Sequence, residues 1–521
     1  MVAASALGLP RWARECVAGA VATALAVIVV GALAAGDRAE VLFRDADSLF
    51  PALLVNSLAA GQPQDWALSP AFFIPEVALF AMLRLIAAPL GVGLEGTLAI
   101  NGVVNLVALY GAMRIASGSA RVARAPVAGA LLAFGAFALL AITETTAVRD
   151  SFQFASMVAF TTYYSATAIG AVAVVGLARR ALDRITTGSR MPLPHLLVIG
   201  AVAAASVFSN PLFAVWATFP VTVLALGVAF WRRMPHQLWI VVAVVGGSGA
   251  GYLLRYTVAR WIAPTTAPYA EPDRWRDTIG YLGGLLGDRA TAPWGWAGAL
   301  LVVAMLATGV VATVVLVRRR STGTAFVAAY AWTAPLLIAV GAVAVGTHAA
   351  RYLQPFAFAS ALALTVLPDL VAAPVLRRSS AAIAATTGGV ALAVLAGFGV
   401  VGLTGEADRP DADLACVVSW VEASGRTGAG QFWTVRLPKT HLSDPRALVQ
   451  VDHRLNGYAW IVNRDDFTVG EVSFLVLDDQ SVPFDLPGGR TLDEAGLVSC
   501  GRYTIADFGA GGAVPLGPQR S

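Results

Sequence analysis

Lysine is almost missing from this chain: there is one, Lys439, among 521 residues, and the remaining basic side chains are arginines. Charge of either sign is scarce, 13% of residues against 57% hydrophobic, which excludes a soluble globule and leaves a polytopic membrane protein. With 5 histidines and 3 cysteines, none at metal-ligand spacing, the sequence offers no metal-binding cluster of those residues. No internal repeat is visible. The arginine, alanine, valine and glycine bias is that of a GC-rich bacterial genome, and membrane lipids rather than nucleic acid are the expected surroundings.

What charge there is has an uneven distribution. Up to residue 403 there are 26 Arg and 16 acidic residues, and beyond it 10 basic and 16 acidic residues, so a segment of +10 precedes one of −6 and the chain totals +4. The expected division is a transmembrane domain over 1–404, a soluble domain over 405–508 and a disordered end over 509–521. Cys16 lies in the first apolar run, while Cys416 and Cys500 both lie in the tail. Outside the cytosol those two would be free to form a disulfide; two buried thiols are the alternative.

Twelve apolar stretches occur, at 16–35, 71–90, 97–117, 126–143, 157–178, 193–209, 211–231, 237–257, 294–317, 324–346, 352–372 and 380–403. The first is long for a signal core and suits a spanning helix, with Arg11 and Arg14 holding its start in the cytosol. Arginine groups at Arg114/Arg121/Arg124, Arg179/Arg180/Arg184/Arg190, Arg232/Arg233, Arg318/Arg319/Arg320 and Arg377/Arg378 are assigned to the same side. Two stretches separate consecutive groups, as a helical hairpin requires, except between Arg14 and Arg114, where there are three. An odd number of crossings cannot return the chain to its starting side. The stretch 71–90, with Pro70, Pro75, Glu76, Arg84 and Pro89, is therefore read as a helix lying along the outer interface.

About eleven transmembrane helices follow, with the N-terminus in the cytoplasm, the C-terminal domain outside, and outer loops at 36–96, 144–156 and 258–293. On this topology 13 of the 16 acidic residues before residue 404 face outward, although acids played no part in the assignment. The expected fold is an all-α polytopic membrane domain carrying a small α/β or α+β extracytoplasmic domain. In the tail, Asp411–Ser424 reads as a short helix. Runs at 431–437, 448–452, 457–463, 472–478 and 502–508 read as strands, and Trp420, Phe432, Trp433, Tyr458 and Trp460 suit either a core or a sugar-binding cleft.

Asp45 and Asp47 stand just beyond the first apolar run, where a carboxylate at a bilayer edge is costly unless solvated or used. Other outward candidates are Glu76, Glu144, Asp150, and the set His348, Arg351 and Tyr352. The loop around 255–289 mixes Arg260, Arg274, Arg276 and Arg289 with Tyr and Trp, a composition that fits a lipid phosphate or an interfacial belt equally well.

The order of parts resembles the GT-C superfamily of polyprenyl-phosphate-sugar glycosyltransferases, in particular the branch with protein O-mannosyltransferases and aminoarabinose transferases. The likeness rests on Arg44-Asp45-Ala46-Asp47 after one helix, a Pro-led interfacial helix from Ser69-Pro70 to Pro89, and a span from Asn101 to Arg114. It extends to the loop 258–293 and to Arg351, Tyr352 and Pro355 at a late outer helix end. The His-Pro-Pro of that branch is replaced by Ser69-Pro70. The resemblance implies that Asp45 or Asp47 takes a proton from an acceptor hydroxyl, while Arg351 and a loop arginine receive the leaving phosphate. It implies inversion at the sugar; the compositional bias points to an actinobacterial cytoplasmic membrane, with a cell-envelope glycan or lipoglycan as the expected acceptor and arabinofuranose or mannose as the expected sugar. No cofactor is required, although paired carboxylates also suit Mg²⁺ or Mn²⁺. A lipid or glycan transporter (flippase) and a non-catalytic envelope-assembly protein are the other two classes open.

Overall fold

The computed structural model describes residues 10–188, 191–233, 235–264, 270–371 and 378–520; Arg190, Arg377 and Ser521 lie outside the described residues. In chain order the first helices are α1 (Arg11–Ala34), α2 (Phe50–Ala59), α3 (Ile74–Ala87), α4 (Leu94–Ala116), α5 (Pro126–Ile142), α6 (Ser165–Thr186), α7 (Leu193–Ser209) and α8 (Phe219–Arg232). They are followed by α9 (Leu238–Leu254), α10 (Trp275–Thr291), α11 (Gly295–Arg318), α12 (Thr322–Ala344), α13 (Pro355–Ala361), α14 (Arg378–Ala407), α15 (Ala412–Ser424) and α16 (Phe432–His441).

Two compact units result. A helical unit gathers Met1–Ala39, Leu98–Thr257 and Tyr269–Ala407; a mixed unit gathers Glu40–Thr97, Val258–Pro268 and Asp408–Ser521. The charge-based division at 404/405 thus falls close to one boundary of the mixed unit. It leaves out the first loop, which belongs with the tail because its backbone and side chains bond to tail residues.

Among the described residues nine helical segments are long and apolar enough to cross a membrane: α1, α4, α6, Ala214–Arg232 containing α8, Pro235–Trp261 containing α9, α11, α12, the broken segment Ala350–Leu370 containing α13, and Thr386–Ser424 running from α14 into α15. The apolar helices α5 and α7, 17 residues each, stand where the other two expected spans fall. The stretch 71–90 holds the 14-residue α3, which is not among the nine. Small residues bring helices of this unit together: a Cβ at Gly251 of α9 would collide with the backbone of Ala204 on α7, so the two backbones touch.

At one end of the helical unit, fully buried Arg179 of α6 ties four segments. It donates to Ala116 O (2.9 Å), Thr324 Oγ1 (3.2 Å) and Asp369 Oδ2 (3.4 Å), while Asp369 Oδ1 accepts from Arg124 N (2.8 Å). Removing one partner of a buried ion pair strands the other. Arg179→Ala is expected to cost about 3 kcal/mol, measured as a fall in the unfolding midpoint in detergent, against little change for exposed Arg233→Ala.

The strands of the mixed unit are β1 (Trp66–Ala67), β2 (Gly428–Gln431), β3 (Leu448–Val451), β4 (Asn456–Tyr458), β5 (Val462–Asn463), β6 (Glu471–Val472), β7 (Phe474–Leu477), β8 (Gly496–Cys500), β9 (Tyr503–Asp507), β10 (Val514–Pro515) and β11 (Gly517–Arg520). Seven form one sheet in the order β11-β4-β3-β2-β7-β9-β8, with β2 parallel to both β3 and β7. Both faces are covered, which explains the unbroken apolar run Phe474–Leu477. One core contains Val417, Val421, Val435, Phe474, Val476 and Ile505, the other Ala429, Val449, Leu475, Ala506 and Val514. The first loop enters this fold through β1, which pairs with β5 (Trp66↔Asn463).

Three expectations for the tail fail. Residues 509–520 are not disordered: Val514 is buried, β10 pairs with β6, and β11 pairs with β4. The run 431–437, rich in strand-favouring Phe, Trp, Thr and Val, is the start of helix α16. The strand is instead the glycine-rich Gly428–Gln431, because a Cβ at Gly428 would strike the Phe474 ring, and packing overrides propensity. The run 457–463 is broken between β4 and β5 at Ile461, which takes φ 48°, a strained value for a β-branched residue. Cys416 and Cys500 do form a disulfide, joining α15 to β8 across 84 residues. Replacing both with Ser should remove about 4 kcal/mol in the chain-entropy description, measurable as a lower denaturation midpoint of the tail.

Candidate functional site

In the mixed unit, Asp45, Ala46 and Asp47 form a tight turn between a π-helical segment, Glu40–Arg44, and α2. Asp45 is buried, and its Oδ2 accepts from the backbone N–H of Asp47 (3.1 Å) and Ser48 (3.2 Å), so this carboxylate shapes the turn. Ser48 Oγ donates to Val41 O at 3.0 Å and closes it. Among the described residues the half-buried Asp47 carboxylate accepts no hydrogen bond.

Beneath the turn lies Arg436 of α16, fully buried. Its Nε donates to Ala46 O (2.7 Å), and its Nη1 donates to Ile461 O (2.6 Å) and Gln450 Oε1 (3.1 Å). Gln450 in turn donates to Tyr458 O (2.8 Å) and Trp460 O (2.9 Å). Burial pushes the Arg436 guanidinium down to about 10, while Asp47, Asp45 and Asp466 hold it up, so it stays cationic at neutral pH. The Tyr458 phenol is raised by burial and by Asp47, against the pull of Arg436. Nothing in the sequence marked Arg436; its one legible oddity is an arginine within a run of strand-favouring residues.

The other candidates of this unit have varied settings. Glu76 is buried in the first turn of α3, whose N-cap, Phe73, adopts φ 54°. Arg260 is exposed and lies over the Trp261 ring at 4.4 Å, an arrangement typical of the membrane interface. Phe432 packs edge-on to Trp433 and Tyr458, with centroids 4.6 and 6.0 Å apart, and Trp420 packs edge-on to Phe474 at 4.9 Å. Phe432 is buried, and Trp420 sits against the core, so these two serve packing.

In the helical unit a second cluster forms where α10 meets the segment after α12. The Tyr281 ring stacks on His348 (4.9 Å, 27°), and Arg274 Nη2 lies 3.3 Å from His348 Nδ1. Because an arginine can donate but not accept, His348 Nδ1 is the acceptor and Nε2 carries the proton. That Nε2 is buried and has no hydrogen-bond partner among the described residues. Arg274 also pairs with Glu271 (2.7 Å). Burial and Asp150 raise the Tyr281 phenol, while Arg351 and the Ala350 backbone pull it down, which places Asp150 and Arg351 within electrostatic reach of the ring.

The Arg351–Pro355 motif occupies a 3₁₀ turn, Ala350–Leu353, running into α13. It is held where Tyr352 O accepts from the buried Trp216 Nε1 (2.9 Å) and Tyr352 packs 6.3 Å from Tyr164. Beside the cluster, Pro272, Trp275, Ala339, Val340, Val343 and Ala344 line an open apolar groove of about 540 Å³. Arg276 is exposed over Trp275, 5.0 Å from its centroid.

Glu144 has a structural setting. Its oxygens accept from Ala155 N (2.9 Å) and Ser156 N (2.7 Å), fixing the loop that buried Arg38 also grips through Gln153 O (2.8 Å) and Ser156 Oγ (2.9 Å). Sequence reasoning missed Arg38, although it lies inside an outer loop otherwise rich in acids.

Asp45 and Asp47 flank Ala46 in this turn. One carboxylate oxygen is committed to two N–H groups, a guanidinium bonds the carbonyl between them, and no third His, Cys, Asp or Glu joins them among the described residues. Comparison with family models, with curated proteins and with solved structures finds no match to this chain.

Proposed function

We propose that the protein is a membrane glycosyltransferase of the GT-C type that moves a sugar from a polyprenyl phosphate to a cell-envelope glycan or lipoglycan, with inversion. The observation that carries this reading is the pairing, within one unit, of a phosphate-suited cluster with an apolar groove. The buried His348 Nε2–H, Arg274 and Arg351 offer donors and positive charge, and the 540 Å³ groove lined by Trp275 and Val340 suits an isoprenoid chain.

The resemblance to GT-C transferases assigns the base to the Arg44-Asp45-Ala46-Asp47 motif. Asp47 is assigned that role and Asp45 the shaping of the turn, because Asp45 Oδ2 is committed to backbone N–H groups whereas Asp47 accepts no hydrogen bond among the described residues. The acceptor hydroxyl gives its proton to Asp47 as its oxygen bonds to the anomeric carbon. The bond from that carbon to the phosphate oxygen breaks, and its electron pair leaves with the polyprenyl phosphate. The same resemblance assigns to Arg351 the offsetting of the charge that develops on the phosphate. The eleven-span topology, the outward-facing site and a bacterial cytoplasmic membrane belong to the same proposal.

A polyprenyl phosphate carrying a diazirine tests the lipid site. Labelling should concentrate on peptides bearing Pro272–Trp275 and Ala339–Ala344, be displaced by polyprenyl phosphate but not by polyprenol, and weaken in His348→Ala. Labelling spread evenly over the lipid-facing helices, or displaced equally by polyprenol, would count against it. The same groove favours a flippase as the second reading; that protein would carry the intact lipid across a bilayer and form no glycosidic bond.

A further inference from the structure

We infer that Arg436 is the positioning residue through which the C-terminal segment sets the Asp45-Ala46-Asp47 turn; its effect on turnover rests on the transferase reading above. A fully buried guanidinium is an expensive way to fill a core, and its cost is met only if its donors and charge are used. Here Nε bonds the carbonyl between the two aspartates (2.7 Å), while Nη1 bonds the carbonyl of strained Ile461 (2.6 Å). Nη2 is buried with no hydrogen-bond partner among the described residues. The charges nearest in effect are Asp47 and Asp45, followed by Asp466. A Met or Leu could fill this volume, but neither could hold a carbonyl or face two carboxylates with a positive charge.

The rest of α16 reinforces the grip. Thr440 O accepts from Asn56 Nδ2 (2.7 Å), His441 Nε2 lies 3.4 Å from Glu95, and Lys439 anchors the helix to Asp466 (2.7 Å). One ten-residue helix thus meets the first loop at residues 46, 56 and 95, and Arg436 is its contact at the turn.

The test compares wild type, Arg436→Met and Arg436→Lys as full-length protein in nanodiscs, by hydrogen exchange and by transfer kinetics, with exposed Arg454→Gln as the control. In Arg436→Met, amides of 47–50 should exchange about tenfold faster while β7 and β9 keep their protection. With a polyprenyl-phosphate sugar, kcat should fall about 100-fold with donor KM within about twofold of wild type, since a base is misplaced and no donor contact is lost. Arg436→Lys, which keeps the charge but not the fork, should recover part of both. Wild-type exchange at 47–50 in a folded Arg436→Met protein overturns the inference, as does a raised donor KM with unchanged kcat. If Arg436→Met loses protection in β7 and β9, Arg436→Lys decides: with those strands protected, faster exchange at 47–50 supports the inference and unchanged exchange overturns it. Faster exchange in a protein whose wild type transfers nothing leaves the positioning role standing and removes the transferase reading.

Discussion

Asp47→Asn is expected to lower kcat for sugar transfer by about 10³-fold, within the range that a general base supplies, while donor KM stays near the wild-type value. Asp45→Asn is expected to cost about tenfold or less. The asymmetry follows from the turn. Asp45 works as an acceptor for two backbone N–H groups, at 3.1 and 3.2 Å, and an asparagine oxygen can take over that task. Asp47 has no such duty among the described residues, and its value in the proposed reaction is its basicity, which an amide lacks. Steady-state rates at saturating donor, with tail folding checked by the Cys416–Cys500 bond, distinguish the two. Equal losses in both variants would mean that the turn itself, rather than one carboxylate, is what the reaction needs.

Arg351→Ala carries the second large effect, a fall in kcat of about 100-fold. In the proposed reaction charge develops on the departing phosphate as the anomeric bond breaks, so a cation assigned there is worth more in the transition state than in the bound donor. Arg351→Lys, which keeps the charge without the planar fork, should recover part of the loss. A change confined to donor KM would assign Arg351 to holding the lipid instead of stabilising its departure. Single-turnover measurements with bound donor separate these outcomes.

The helical character of the chain was legible because apolar length is a coarse signal that packing cannot erase. The stretch 71–90, set aside on the parity of crossings, holds α3, which is not part of any of the nine segments long and apolar enough to span. Pairing of Cys416 with Cys500 was readable as one of two options. Strand and helix in the tail were harder: Phe432–Leu437 reads as a strand by propensity, yet the sheet takes Gly428–Gln431, where Phe474 leaves no room for a side chain.

The sequence marked residues that look chemically expensive, Asp45 and Asp47 in the mixed unit and His348 and Arg351 in the helical unit, but not the ones that hold them. Arg436 is 391 positions from Asp45 and reaches the turn through a fold that no local pattern announces. Glu144 shows a setting that the sequence did not announce. It looked like an outward-facing ligand group, and its carboxylate is used on the backbone of Ala155 and Ser156.

The central claim is a chemical step, so turnover tests it most directly. Purified protein in liposomes, given polyprenyl-phosphate arabinofuranose or polyprenyl-phosphate mannose and a cell-envelope glycan acceptor, should release polyprenyl phosphate in step with a new glycosidic bond. The anomeric configuration of that bond, read by NMR, should be inverted relative to the donor. Intact donor crossing the bilayer with no bond formed, or a product of retained configuration, would contradict the account.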